Sequence, residues 1–349
     1  MPELDAPPIN LRSDTQTLPT AAMLEAIARA PLGDDTYGED PTVARFEAMA
    51  AAAMGKPAAM LAISGHMANL IALMVHAQAG DEVILDAESH VFHYEVGSLA
   101  SVAHLMPMPV PSHAGMLDPD ELAAAIREPD LHYPRPRLLC LENTHNRSGG
   151  RVIPLALHRK LCAVARARGL AVHLDGARIF NAAIAAGVAV PEYTRDVDSV
   201  MFALTKGLSC PLGSVLAGEQ AFIDQARVVR RRIGGGMRQA GILAATGIVA
   251  LETMVDRLAE DHANARVLAE GIVGIPGLEV DLAKVETNMV YVDHSRTGLS
   301  TNAMVERLAA HGVIVSNRPP KHIRLVTNRH HDRASIDEAL VRIRRAASE

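Results

Sequence analysis

Between Ala59 and Ala217 short apolar runs recur with a regularity that few architectures accommodate. The runs Ala59–Ser64, Glu82–Asp86, Arg137–Glu142, Leu170–Asp175, Ser199–Leu204 and Ser214–Ala217 each have the length of a buried strand. Helix-like stretches such as His66–Ala79 and Leu155–Arg168 lie between most of them. Strands that are apolar on both faces and joined through helices predict an α/β fold, with a mainly parallel sheet covered on both sides. Two further helices are expected before the first strand, at Pro19–Ala30 and Pro41–Met54, each with a proline near its start. After Ala217 the rhythm changes to a largely helical run from Glu219 to about Ile272. A mixed region follows, with strands near Asn288–Asp293, Val313–Val315 and His322–Val326 and helices near Ser300–His311 and Asp332–Ala346. We therefore expect a large α/β domain over residues 19–250 and a smaller α+β domain over 251–349. Residues 1–18 read as an extended leader that contributes to the active site.

The composition narrows the class of function. With 49% hydrophobic and 21% charged residues the chain is globular, and no window approaches the roughly 18 uninterrupted apolar residues of a membrane span. Forty acidic residues against 34 basic ones argue against a nucleic-acid groove, although Arg230, Arg231 and Arg232 form a local cluster. Cys140, Cys162 and Cys210 are far apart and lack metal-ligand spacing, so they read as buried reduced thiols. The N-terminus has neither a basic nor an apolar export region, and the expected compartment is the cytoplasm.

In an open parallel sheet ligands bind at the carboxyl ends of strands, so those ends are where chemistry is sought. The first carries Ser64-Gly65-His66 and turns straight into a helix, whose free N–H groups suit a phosphate; a tight turn that needs glycine only for its geometry is an equal reading. The second, HLDGARIF, ends a strand at Asp175 with Arg178 three residues on. Asp175 can cap the next helix, or it can stay ionised to hold a heterocyclic nitrogen protonated, with Arg178 beside it for a phenolate or a carboxylate. The third brings Lys206 off an apolar run into a glycine-containing loop, where desolvation favours a neutral, nucleophilic amine. Only five lysines stand against 29 arginines, and Lys56, Lys160, Lys284 and Lys321 all read as solvated charges. The fourth end, ESHVFHYE, supplies His90 and His93; a histidine there can stack on an aromatic cofactor and move protons, or be polar surface. His132 and His145 flank another strand, and no ligand pair with zinc spacing stands out among these histidines.

A phosphate turn, an aspartate for a ring nitrogen, an arginine beside it, a lone buried lysine and a stacking histidine together describe a pyridoxal phosphate site. The stretches NLRSDTQTLPT, GDDTYGEDPT, LENTHNRSGG, VHLDGARIFNAA, TKGLSCPLGSVLAG, GGGMRQAGILAATG and IRLVTN resemble the low-specificity L-threonine aldolases, fold-type I pyridoxal phosphate enzymes of the β-eliminating lyase superfamily. The resemblance runs from about Leu11 to Asn328. It implies that Lys206 is the Schiff-base lysine, Asp175 the partner of the pyridine nitrogen, Gly65 with its neighbours Ser64 and His66 the phosphate turn, and His90 the stacking histidine. It further implies that Arg178, Arg324 and Ser13 hold the substrate carboxylate and that His132 is a second active-site histidine. Tyr37 and Arg238 match motifs that, in the family's homotetramers, reach a neighbouring subunit's site, so the resemblance implies a dimer of dimers. The chain departs from the family at His66, where a hydroxyl residue is common; the backbone donors survive that change and the hydroxyl contact does not.

The activity implied is reversible cleavage of a β-hydroxy-α-amino acid of the threonine or allo-threonine type to glycine and an aldehyde, with His90 or His132 as the base. Two rivals stand beside it. One is another lyase reaction on the same scaffold, such as β-elimination or cleavage of a phenylserine-type substrate; the other is a non-catalytic ligand-binding protein in which Lys206 is structural.

Overall fold

The computed structural model describes residues 7–348, and they group into two units. The larger comprises residues 18–148 and 152–255. Its centre is a seven-stranded sheet built from β1 (Ala58–Ala62), β2 (Glu82–Asp86), β3 (Met106–Val110), β4 (Pro136–Glu142), β5 (Ala171–Asp175), β6 (Ser199–Ala203) and β7 (Ser214–Gly218). The spatial order is β1-β7-β6-β5-β4-β2-β3, and only β7 runs antiparallel to its neighbours. Every residue of β1, β2, β6 and β7 is buried, as expected where helices cover both faces. The expected strands agree with these to within two residues at each end.

Local sequence explains the helices that position the strand ends. Asp40 caps the helix Pro41–Met54 by accepting from Thr42 N and Val43 N, and Gly55 ends it in the left-handed region at φ 60°. The helix Gly65–His76 lies against β6, β7 and the helix Gln220–Arg232, burying Ala68, Ile71 and Ala72 with Met60, Leu216 and Ile223. Cys140, Cys162 and Cys210 are all buried and form no disulfide, and burial pushes Cys162 and Cys210 up to about 12.

The smaller unit contains residues 7–17, Gly149–Arg151 and 256–348. Residues 7–17, expected as a leader, therefore group with the C-terminal region, where the strand Ile9–Asn10 pairs in parallel with Val313–Ile314. A three-stranded antiparallel sheet of β8 (Met289–Asp293), β9 (Ser316–Arg318) and β10 (His322–Val326), in the order β8-β10-β9, is joined by the helices Leu258–Val273, Thr301–Ala310 and Arg333–Ser348. Their core includes Leu11, Leu268, Ile272, Val290, Ile323 and Ile336. No helix among the described residues is long and apolar enough to cross a membrane.

Candidate active site

The parallel register sets acidic side chains side by side at the carboxyl ends of the strands of the large sheet. Glu142 of β4 and Asp175 of β5 are Cα partners, and Asp86 ends β2 on the other side of β4. All three are at most 6% exposed. Their partners differ, and the difference sorts their roles. Glu142 accepts from the backbone N–H of His90 (2.6 Å) and of Asn146 (2.8 Å), so it ties two loops to the sheet. Asp86 accepts from Glu88 N at 2.7 Å and lies 3.4 Å from His145 Nε2. Asp175 accepts from Ala177 N (3.1 Å) and from the Asn69 side-chain amide (2.9 Å).

Burial alone would neutralise Asp175, but the charges of His90 and Lys206 and its hydrogen bonds from Asn69 and Ala177 hold its carboxyl below the ordinary aspartate value. Glu95, fully buried, goes the other way: burial and the repulsion of Asp175 outweigh its bonds from His90 and Asn69, and its pKa is raised. His90 Nδ1 sits 3.1 Å from Glu95 Oε1. Burial opposes the His90 imidazolium, yet Glu95, Asp175 and Glu142 prevail and raise its pKa above the ordinary histidine value. Because Nδ1 is committed to Glu95, the neutral ring carries its proton there and leaves Nε2 as the acceptor. His90, Glu95 and Asp175 bring one nitrogen and two oxygens within 4.8 Å of one another, but the Asn69 amide already bridges the two carboxylates with its N–H groups.

The other expected residues of this unit fall as follows. Lys206 is half-buried in the connection from β6 to β7, which closes on itself through Leu204 N to Gly213 O (3.1 Å) and Ser209 N to Lys206 O (2.9 Å). Ser64 caps the helix Gly65–His76 by accepting from Met67 N at 3.2 Å, which leaves N–H groups at the helix start for a ligand. A Cβ on Gly65 would meet Met201 Cε at 2.7 Å, so the turn lies close against β6. His66 Nε2 bonds Ser98 Oγ at 2.9 Å and lies 3.9 Å from Glu95 Oε2. Arg178, 6% exposed, begins the helix Ile179–Ala186. A buried aspartate held ionised beside a lysine's charge, and the N–H groups of a helix start, are the donor set that a pyridoxal phosphate ring nitrogen and phosphate require.

Tyr37 and Arg238 stand apart from that cluster on linked loops: Asp35 N donates to Arg238 O at 2.9 Å, and Arg238 Nη1 pairs with Asp34 at 3.0 Å. Tyr37 is 74% exposed. His132 lies in a surface turn with its side chain 81% exposed and its ring on Asp130 at 2.9 Å. Ser13 and Arg324 belong to the smaller unit. Ser13 Oγ accepts from Thr15 N at 3.2 Å, and Arg324, buried on β10, donates to the neighbouring Arg12 carbonyl at 3.3 Å.

Four residues of the cluster were not singled out from the sequence: Asn69, Glu95, Glu142 and His173. For His173 a signal existed, since residues two apart on a strand face the same way, and a histidine two before Asp175 in a buried run must reach the same helix.

A family model described as beta-eliminating lyase matches residues 10–295. The chain is 43% identical over 322 residues to the low specificity L-threonine aldolase of Escherichia coli (strain K12), covering 92% of this chain and 93% of the relative. It is 42% identical over 334 residues to low-specificity L-threonine aldolase 1 of Arabidopsis thaliana, covering 94% and 93%. Among solved structures, Leishmania major threonine aldolase superposes with a TM-score of 0.85 at 19% identity over 97% of this chain and all of the other. Sphingomonas wittichii serine palmitoyltransferase superposes with a TM-score of 0.79 at 18% identity, over 98% of this chain and 87% of that one. The fold is thus shared with proteins whose names denote different reactions.

Proposed function

This chain belongs to the beta-eliminating lyase family, and from that membership we propose that it binds pyridoxal 5'-phosphate and reversibly cleaves L-threonine and L-allo-threonine to glycine and acetaldehyde. The observation that carries the reading is Asp175, a 2% exposed carboxylate kept ionised at a strand end by His90, Lys206 and Asn69. The cofactor would supply an electron sink for the pair of electrons released at Cα.

Each step asks something definite of the protein. Asp175 would hold the pyridine nitrogen's proton. The N–H groups after Ser64 would hold the phosphate, and Lys206 would supply the amine that anchors the cofactor aldehyde. The resemblance assigns the substrate carboxylate to Arg178, Arg324 and Ser13. His90 Nε2, opposite the nitrogen held by Glu95, takes the β-hydroxyl proton as the Cα–Cβ bond breaks and the aldehyde forms. A proton returned to Cα completes glycine. In this reading His132 plays a lesser part than His90, because its ring is turned to Asp130 on a mostly exposed turn. Tyr37 and Arg238, linked through exposed loops, face a neighbouring subunit in a homotetramer built as a dimer of dimers, and the enzyme works in the cytoplasm on a free amino acid.

The test is to load the purified protein with pyridoxal phosphate and identify products from L-threonine, L-allo-threonine and phenylserine. Glycine with the matching aldehyde supports the reading; a 2-oxo acid with ammonia released marks elimination instead and overturns it. Borohydride should fix the cofactor on Lys206, and a Lys206→Ala variant that still traps it would remove the lysine from its role.

A further inference from the structure

Asn69 and His76 stand seven residues apart on the helix Gly65–His76, so both side chains leave the same face. Beneath that face lie His173 of β5 and Ser199 of β6, which are register partners on adjacent strands and are both fully buried. The four side chains interlock. Asn69 Nδ2 meets Glu95 Oε1 at 2.8 Å and Asp175 Oδ2 at 2.9 Å, and its Oδ1 meets His173 Nε2 at 3.0 Å. His173 Nδ1 meets Ser199 Oγ at 2.8 Å, and the same Oγ meets His76 Nε2 at 2.7 Å.

Only one arrangement of protons satisfies every link. An ionised carboxylate only accepts, so the Asn69 amide must present its NH2 to Asp175 and Glu95, and both N–H groups are used there. Its carbonyl then faces His173, which must donate from Nε2. A neutral ring protonated on Nε2 accepts at Nδ1, and that nitrogen takes the Ser199 hydroxyl proton. The Ser199 oxygen in turn accepts from His76 Nε2. Burial keeps both rings neutral, pushing His173 down to about 3 and His76 to about 4, and His76 is fixed further by stacking on Phe222 with centroids 4.5 Å apart.

We propose that His173 is a positioning residue for Asp175: through Asn69 it locks two N–H donors onto the buried carboxylates, and Ser199 with His76 locks His173 in turn. With the amide reversed, a carbonyl oxygen would face two carboxylates and Asp175 would lose its charge-assisted hydrogen bond. The chain of contacts forbids that reversal, so the amide that bonds Asp175 is held from Ser199 on the adjacent strand and from His76 two helical turns away. The consequence for catalysis rests on the functional reading above, whereas the proton arrangement itself does not.

Two measurements on the full-length protein separate these. Nitrogen-15 NMR of histidine-labelled protein should find His173 and His76 neutral at pH 7 with the proton on Nε2 in both; a proton on His173 Nδ1, or a charged ring, overturns the proposal. Pyridoxal phosphate is then titrated into protein freed of it, comparing wild type, Ser199→Ala and Ser199→Thr. Ser199→Ala should weaken binding by about three- to tenfold, the worth of one neutral hydrogen bond, and Ser199→Thr should restore it by returning the hydroxyl. Ser199→Ala protein that binds as tightly as wild type overturns the proposal. If wild type binds no pyridoxal phosphate, the functional reading fails, and the histidine protons still decide the chain.

Discussion

Glu142 and Asp175 are neighbours in register on adjacent parallel strands, yet one carboxylate bonds only the backbone of two loops while the other also takes the side-chain amide of Asn69. Shared position at the carboxyl ends of the strands therefore does not confer shared chemistry; the partners do.

Glu142→Ala should accordingly damage the site through His90 rather than directly. Two backbone N–H groups, of His90 and Asn146, would lose their acceptor, and each buried unsatisfied donor costs about 1–3 kcal/mol. We expect a melting temperature lowered by several degrees together with a reduced kcat, and chemical denaturation with steady-state kinetics reads both. Unchanged stability would show that Glu142 does not hold these loops.

His90→Phe keeps an aromatic ring over the site and removes the proton acceptor. It should retain the cofactor and lose about 10²–10⁴ in kcat, while His132→Phe should cost less. Because His90 titrates above the ordinary histidine value and acts as a base only when neutral, kcat/KM of the wild type should rise with pH through that raised pKa and then level. The pH-rate profile of His90→Phe should lack that rising limb. A limb that persists in His90→Phe and vanishes in His132→Phe would transfer the role.

Arg324→Ala and Arg178→Ala should each raise KM for threonine, losing a charge-assisted contact to the substrate carboxylate worth about 1.5–3 kcal/mol. Arg178 begins the helix that follows Asp175, so its loss should also shift the bound cofactor's absorption, whereas Arg324→Ala should leave the spectrum in place. Wild-type KM in both variants would exclude the clamp.

His158 gives the fold a pH dependence unrelated to catalysis. It is fully buried, donates to the Tyr193 carbonyl at 2.7 Å, and burial pushes its pKa down to about 4. Below pH 6.5 the unfolded chain takes up a proton here that the folded protein refuses until about pH 4. The stability this ring contributes is complete above 6.5 and is lost as pH falls toward 4, on the order of 3 kcal/mol for a shift of that size. Thermal melts from pH 8 to 4 should show a shallower decline in His158→Phe than in wild type; equal slopes would assign the acid sensitivity elsewhere.

Much of this was legible in the sequence, for a physical reason. Strands buried on both faces leave continuous apolar runs, and the chemistry of an open parallel sheet collects where those runs end, so Ser64, Asp175 and Lys206 stand out. β3 did not, because Pro107 and Pro109 interrupt its pattern. At a sheet edge two prolines spaced by two put their missing N–H groups on the unpaired side, which only the pairing with β2 reveals. Asn69 and Glu95 were silent for a different reason. Each lies several residues past the strand end that precedes it, and Asn69 acquires meaning only from a partner distant in sequence, Asp175.

β1 lies at the sheet edge with β7 as its one neighbouring strand, so the strand pairing of residues 58–62 is with residues 214–218. A chain emerging from the ribosome exposes its phosphate turn long before the strand that fixes it has been made, and non-local pairing of this kind cannot form ahead of synthesis. Cofactor capture thus belongs to the last third of translation. Ribosome-bound chains halted before residue 214 should neither retain pyridoxal phosphate nor protect residues 58–62 from protease, and chains halted well beyond 218 should begin to do both.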